Sequence, residues 1–169
     1  MKAKLIIEDR EIEVEISEEE YKKLQPSEEK KTGYERVPES DIYFCANTRG
    51  YAETACEDYY DVDNEYYESA NYYSDKTVAE NNARADNRMR QLRRFAVQRR
   101  ECGVDFNSTK TEKHYIYYNY DDNELRTTYM FYAKHFGAIH FDSEETANAA
   151  IDEFHDELIW YFTEYKDSL

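Results

Sequence analysis

The sequence predicts an α+β fold, and three observations carry that prediction. Short strand-like runs, the first pair strictly alternating apolar and polar, recur with turn residues between them. Two longer segments place apolar residues at spacings of three, four and seven. These pieces also follow one another in the same order twice, strands first and then a helix.

Taken in order, residues 2–7 and 11–16 alternate through Ala3, Leu5, Ile7 and then Ile12, Val14, Ile16. This period of two around Glu8-Asp9-Arg10 reads as a β-hairpin with one apolar face. Ser17-Glu18-Glu19-Glu20 has the pattern of a capping box, opening a short helix that stops before Pro26. Residues 26–40, PSEEKKTGYERVPES, carry both prolines of the chain and read as a polar linker. Strands are expected at 42–46 and 51–56 around Thr48-Arg49-Gly50. An acidic, tyrosine-rich stretch, EDYYDVDNEYYESANYY (57–73), follows. Its end, Ala70–Tyr73, reads as a short strand feeding a helix from about Asp75 to Cys102. The buried stripe of that helix is Val78, Ala85, Met89, Leu92 and Ala96, with Gly103 as the residue that ends it.

A third hairpin is predicted at 114–120 and 125–132 around Asp121-Asp122-Asn123-Glu124. A short strand at 138–141 then leads into a helix capped near Asp142 or Ser143. Ala147, Ala150, Ile151, Phe154, Leu158, Tyr161 and Phe162 form the apolar face of this helix. The expected organisation is a hairpin-and-helix unit at 1–25, a linker at 26–40, and an α+β domain at 41–169. Within the last, two β-β-β-α units (41–103 and 112–165) are expected to share one mostly antiparallel sheet with both long helices packed on it. The layouts ANYYSDKTVAEN and AIHFDSEETANA suggest an internal duplication.

The composition narrows what such a fold does. Eighteen tyrosines and eight phenylalanines supply much of the 40% hydrophobic content, enough aromatic area for a core. The net charge of −16 repels nucleic acid and anionic membranes and attracts cationic partners; solubility alone is the competing explanation. Three cysteines without a CxxC pair fit a reducing cytosol. The apolar run at the start is too short for a signal peptide, and no segment reaches membrane-spanning length.

No catalytic motif emerges. Asp61-Val62-Asp63-Asn64-Glu65 resembles the start of a calcium loop, but the positions that need Gly and a bidentate Glu hold Tyr66 and Tyr72. His114, His135, His140 and His155 have no metal-ligand spacing, four glycines are too few for a phosphate cradle, and Cys102 has no nominated partner. The reading is therefore a non-enzyme with no metal and no cofactor. What remains is charge. Residues 51–75 hold no Lys or Arg, so Glu57, Asp58, Asp61, Asp63, Glu65 and Glu68, with Tyr59, Tyr60, Tyr66 and Tyr67, form the candidate partner-binding surface. A second acidic face, Glu145, Asp152, Glu153, Asp156 and Glu164, lies on the last helix. The basic counterpart is Arg84, Arg88, Arg90 and Arg94 on the first long helix. It offers an alternative reading as an RNA-binding face, or as the acceptor of the acidic segment in a homodimer.

SANYYSDKTVAEN, HYIYYNYDDNEL and AIHFDSEETANAAIDEF, spanning roughly 70–165, resemble the strand-to-helix junctions of small acidic accessory proteins of Firmicutes phages and prophages. Ala70 stands where that pattern has Gly, and Lys76-Thr77 where it has a Glu pair. The resemblance implies a phage-encoded protein acting in the host bacterial cytoplasm, in a group that includes inhibitors of host defence such as anti-CRISPR proteins. It transfers no catalytic residue. A CRISPR effector holds its heteroduplex in a positive channel, and carboxylates on a rigid scaffold can stand where phosphates would. A structural or adaptor protein, acidic only for solubility, is the alternative reading.

Overall fold

The computed structural model describes the backbone of 2–7 and 10–15, Ser17, and residues 31–169 in full. The short helix expected after Ser17 and the first part of the expected linker lie outside these residues. Contacts divide the chain into two units, Met1–Lys31 and Thr32–Leu169. In the first, strands β1 (Lys2–Ile7) and β2 (Arg10–Glu15) pair antiparallel, with Ala3 opposite Val14 and Leu5 opposite Ile12. That register sets the apolar positions of the two strands against each other, as the alternation requires.

The second unit runs β3 (Ile42–Ala46), β4 (Ala52–Cys56), α1 (Asp61–Glu68), α2 (Lys76–Arg99), β5 (Lys113–Asn119), β6 (Glu124–Met130) and α3 (Glu144–Thr163). Strands and helices are segregated as an α+β fold requires, with α2 against β3–β4 and α3 against β5–β6, and the two helices also touch. The strands do not join into the single expected sheet. Each hairpin is its own two-stranded sheet. The third strands expected at 70–73 and 138–141 shrink to one bridge each, Tyr73 with Phe44 and Phe141 with His114. Both bridges are reciprocal backbone pairs of 2.8–3.1 Å. They stop there because a helix cap follows two residues later in each case. Asp75 accepts from the Val78 N–H and Ser143 from the Thr146 N–H. Ala79 and Ala147, four residues after their caps, are fully buried.

The main core lies between α2 and α3: Leu92, Phe95 and Ala96 meet Phe141, Ala147, Ala150 and Leu158. Met89 is only half-buried, and Trp160, which the apolar stripe omitted, is buried beneath Arg84, whose guanidinium sits 3.8 Å above the ring. Helix α2 ends at Arg99, three residues short of the expected Cys102. Arg100 leaves in an extended conformation, so Gly103 does not form the left-handed cap. The Asp142 carboxylate takes over, accepting the Glu101 and Cys102 N–H groups at 2.7 and 3.1 Å.

The second half of the expected linker is not a linker. Tyr34 packs on Tyr73 at 5.1 Å, and Glu35 accepts the Ser74 hydroxyl at 2.9 Å. Gly33, at φ 92°, passes so close to Val78 that a Cβ there would lie 2.8 Å from its methyl group. Among the described residues no helix is long and apolar enough to cross a membrane.

Candidate partner-binding face

The acidic stretch is a short helix, not a loop. Tyr60 precedes the first turn of α1 in an extended conformation, and Asp61 and Asp63 sit in that turn, where the helix dipole favours anions. With about 100° per residue, Asp63, Tyr66 and Tyr67 fall on one side, and Asp61, Glu65 and Glu68 on the other. The inward side is built around Asp63, which is buried. Its carboxylate accepts the Tyr43 hydroxyl at 2.8 Å and the Tyr60 and Asp58 N–H groups at 3.0 and 3.2 Å. Tyr66 packs on Tyr43 at 6.2 Å, and Tyr67 sets its edge on Tyr72 at 5.4 Å.

Glu57 anchors the segment before the helix. It is fully buried, and Arg36 clasps it with two bonds of 2.9 and 3.0 Å. The Tyr72 hydroxyl donates to it at 2.8 Å and the Tyr59 N–H at 2.9 Å. The Arg36 guanidinium beside it, more than these other donors, holds its carboxyl down at about 2. Burial, reinforced by their carboxylate partners, pushes the Tyr43 and Tyr72 hydroxyls well above the ordinary phenol value. The two rings stack at 4.1 Å and 13°. Arg36 in turn lies 4.7 Å from the Tyr59 ring and 5.3 Å from that of Tyr67. Tyr59 has φ 56°, a left-handed backbone costing about 1–2 kcal/mol in a residue of this kind. Its bond to Glu57 and its ring over Arg36 hold it there.

These contacts divide the ten expected binding residues. Glu57 and Asp63 are not available to a partner, which corrects the expectation for both: Arg36 neutralises Glu57, and neutral donors inside the fold occupy the buried Asp63 carboxylate. Asp58, Asp61, Glu65 and Glu68 are exposed, as are Tyr59, Tyr60 and, at its rim, Tyr67, while Tyr66 is half-buried. Arg36 is the residue that sequence reasoning missed. It stood in the expected linker, and only the fold carries it to an acidic stretch with no base of its own. The spacing of Asp63, Tyr66 and Tyr67 was the available signal for the inward face of α1.

The second acidic face is present on α3 and its cap, where Glu145, Asp152, Glu153, Asp156 and Glu164 are all exposed. On α2 the arginines split. Arg84 and Arg88 both bind Glu157 of α3, at 2.9 and 3.1 Å, and serve the helix pairing. Arg90 and Arg94 face solvent, Arg90 with only a 3.5 Å contact to the Thr48 carbonyl. Compared with protein-family models, curated proteins and solved structures, the chain shows no significant match.

Proposed function

We propose that this protein is a non-enzymatic inhibitor that binds the basic, nucleic-acid-handling surface of a bacterial defence nuclease, a CRISPR effector in the first instance, in the host cytoplasm. The observation that carries the reading is the outward face of α1. Asp61 and Glu65 are one helical step apart, a rise of about 6 Å, with Glu68 continuing the row and Asp58 exposed just before the helix. Their backbone is held by the buried Glu57 and Asp63 networks, so the carboxylates meet a cationic partner with little ordering left to lose. Exposed Tyr59 and Tyr60 add flat area that stacks on guanidinium groups at low entropy cost.

The test is a titration of the full chain against type II CRISPR effectors, reading binding and target cleavage together. Reversal to Lys at Asp58, Asp61, Glu65 and Glu68 is expected to weaken binding tenfold or more and to restore cleavage. Binding of the native chain should also fall steeply as salt rises. Reversal at Glu39, Glu80, Glu101 and Asp121, four exposed acids outside both acidic faces, serves as the control for net charge alone. Effector binding that ignores both salt and reversal on α1 would defeat the reading, and so would its absence across the panel.

A further inference from the structure

A cleft of about 240 Å³ opens between α2, α3 and the segment before Phe141. Leu92, Ile116, Ile139, Phe141, Leu158 and Phe162 line it, so its walls are almost wholly apolar. An apolar cavity of about 150 Å³ already holds benzene, and drug-sized sites begin near 300 Å³. The space therefore suits one or two rings, or a short branched chain.

The rim is of the opposite character to the rest of the molecule. Arg88 stands in the cleft wall, paired with Glu157 through one terminal nitrogen, while its buried Nε–H has no acceptor. Two shallower hollows adjoin the cleft and share Gly137 with it. One adds Arg93, Lys134 and His135, the other Arg90 and Arg93, with Asp86 as their one acid. On a chain of net charge −16, cations gathered at the mouth of an apolar slot select for charge as well as shape. They also argue against a second copy docking here, since a two-fold axis would set like charges face to face.

We propose that this cleft is a binding site for a small aromatic or short-chain carboxylate, apolar end inward and carboxylate at the arginine rim. The site lies on α2 and α3, so it stands or falls independently of the acidic face on α1. The full chain is titrated with 2-naphthoate, followed by ligand fluorescence and by amide shifts, beside the neutral isostere 2-naphthalenemethanol. Saturable one-to-one binding below about 1 mM is expected, with shifts centred on Met89, Ile139 and Leu158. The neutral alcohol and the Arg93→Glu variant should each bind about fivefold more weakly or worse. Met89→Trp fills the slot from a half-buried helix position and should abolish binding while the thermal transition stays cooperative. Ile139→Trp, on the facing segment, takes its place if that variant does not fold. No saturation overturns the proposal, as does equal affinity for the alcohol, indifference to Arg93→Glu, or undiminished binding in the filled variant.

Discussion

At Glu57 a carboxylate that looks free in the sequence is enclosed by Arg36, Tyr72 and the Tyr59 N–H. The enclosure has a measurable consequence. A carboxyl held at about 2 when folded and near 4.5 when unfolded binds fewer protons in the native state. Its contribution is complete above about pH 4.5 and is lost as the pH falls toward 2. Glu57→Gln keeps the shape but removes the charge that Arg36 and Tyr72 face. It is expected to cost about 3 kcal/mol at pH 7, near the lower end for breaking a buried pair because Arg36 is a quarter exposed. Urea unfolding at pH 7 and pH 3 checks both points, since the variant should lose less between the two pH values than the native chain does. An identical pH slope in the two proteins would show that Glu57 is not the titrating group.

Between elements, two features govern how the hairpins and helices hold together. Gly50 turns β3 into β4 at φ 88°, and a Cβ there would stand 2.5 Å from the Asn87 side chain on α2. Gly50→Ala combines a strained backbone with a clash, so a loss of more than about 1 kcal/mol is expected in thermal unfolding. The segment leading into α3 carries a different device. His140 is buried against Phe106 and Tyr115. Burial pushes its pKa below 6.5, outweighing the opposing pull of the Ala138 backbone, and nearby His135, Lys134 and Lys113 push the same way as burial. The unfolded chain therefore takes up a proton that the folded chain resists. This costs stability as the pH drops below about 6.5, a window well above that of Glu57. Unfolding midpoints at pH 7.5 and 5.5 should converge in His140→Phe and differ in the native chain. A difference that survives the substitution points to another group.

Over the whole molecule, the division at Lys31 and Thr32 makes Thr32–Leu169 the larger of two compact units. Thr32–Leu169 contains the core clusters, Arg36 with its carboxylate, the acidic face and the apolar cleft. A chain of residues 32–169 is expected to keep a cooperative thermal transition and the near-ultraviolet signal of its stacked tyrosines. One that begins at residue 41, where the sequence set the domain boundary, should lose both, because it lacks Arg36 and leaves Glu57 buried without its cation. Equal stability of the two truncations would return residues 32–40 to the role of linker.

Much of this was legible in the chain. Period-two alternation marked the first hairpin, strand-like runs around turn residues marked the other two, and helical spacing marked α2 and α3 with Val78, Leu92, Ala147 and Leu158 on their inner faces. Those signals are local, set by which side chains share a face, and they survive without knowledge of the rest of the fold. The acidic character of residues 57–68 was equally plain. Which of those acids are free was not, because burial and pairing depend on residues distant in sequence. Tyr43 reaches Asp63 across 20 positions and Arg36 reaches Glu57 across 21. The same limit hid the separation of the hairpins into three sheets and the gathering of Arg88, Arg93 and Lys134 around one apolar slot. Composition alone determined that this protein carries a strong negative field. Only the packing of α1 against β3 and the 32–40 segment decided that Asp58, Asp61, Glu65 and Glu68 present it, while Glu57 and Asp63 are spent on holding them in place.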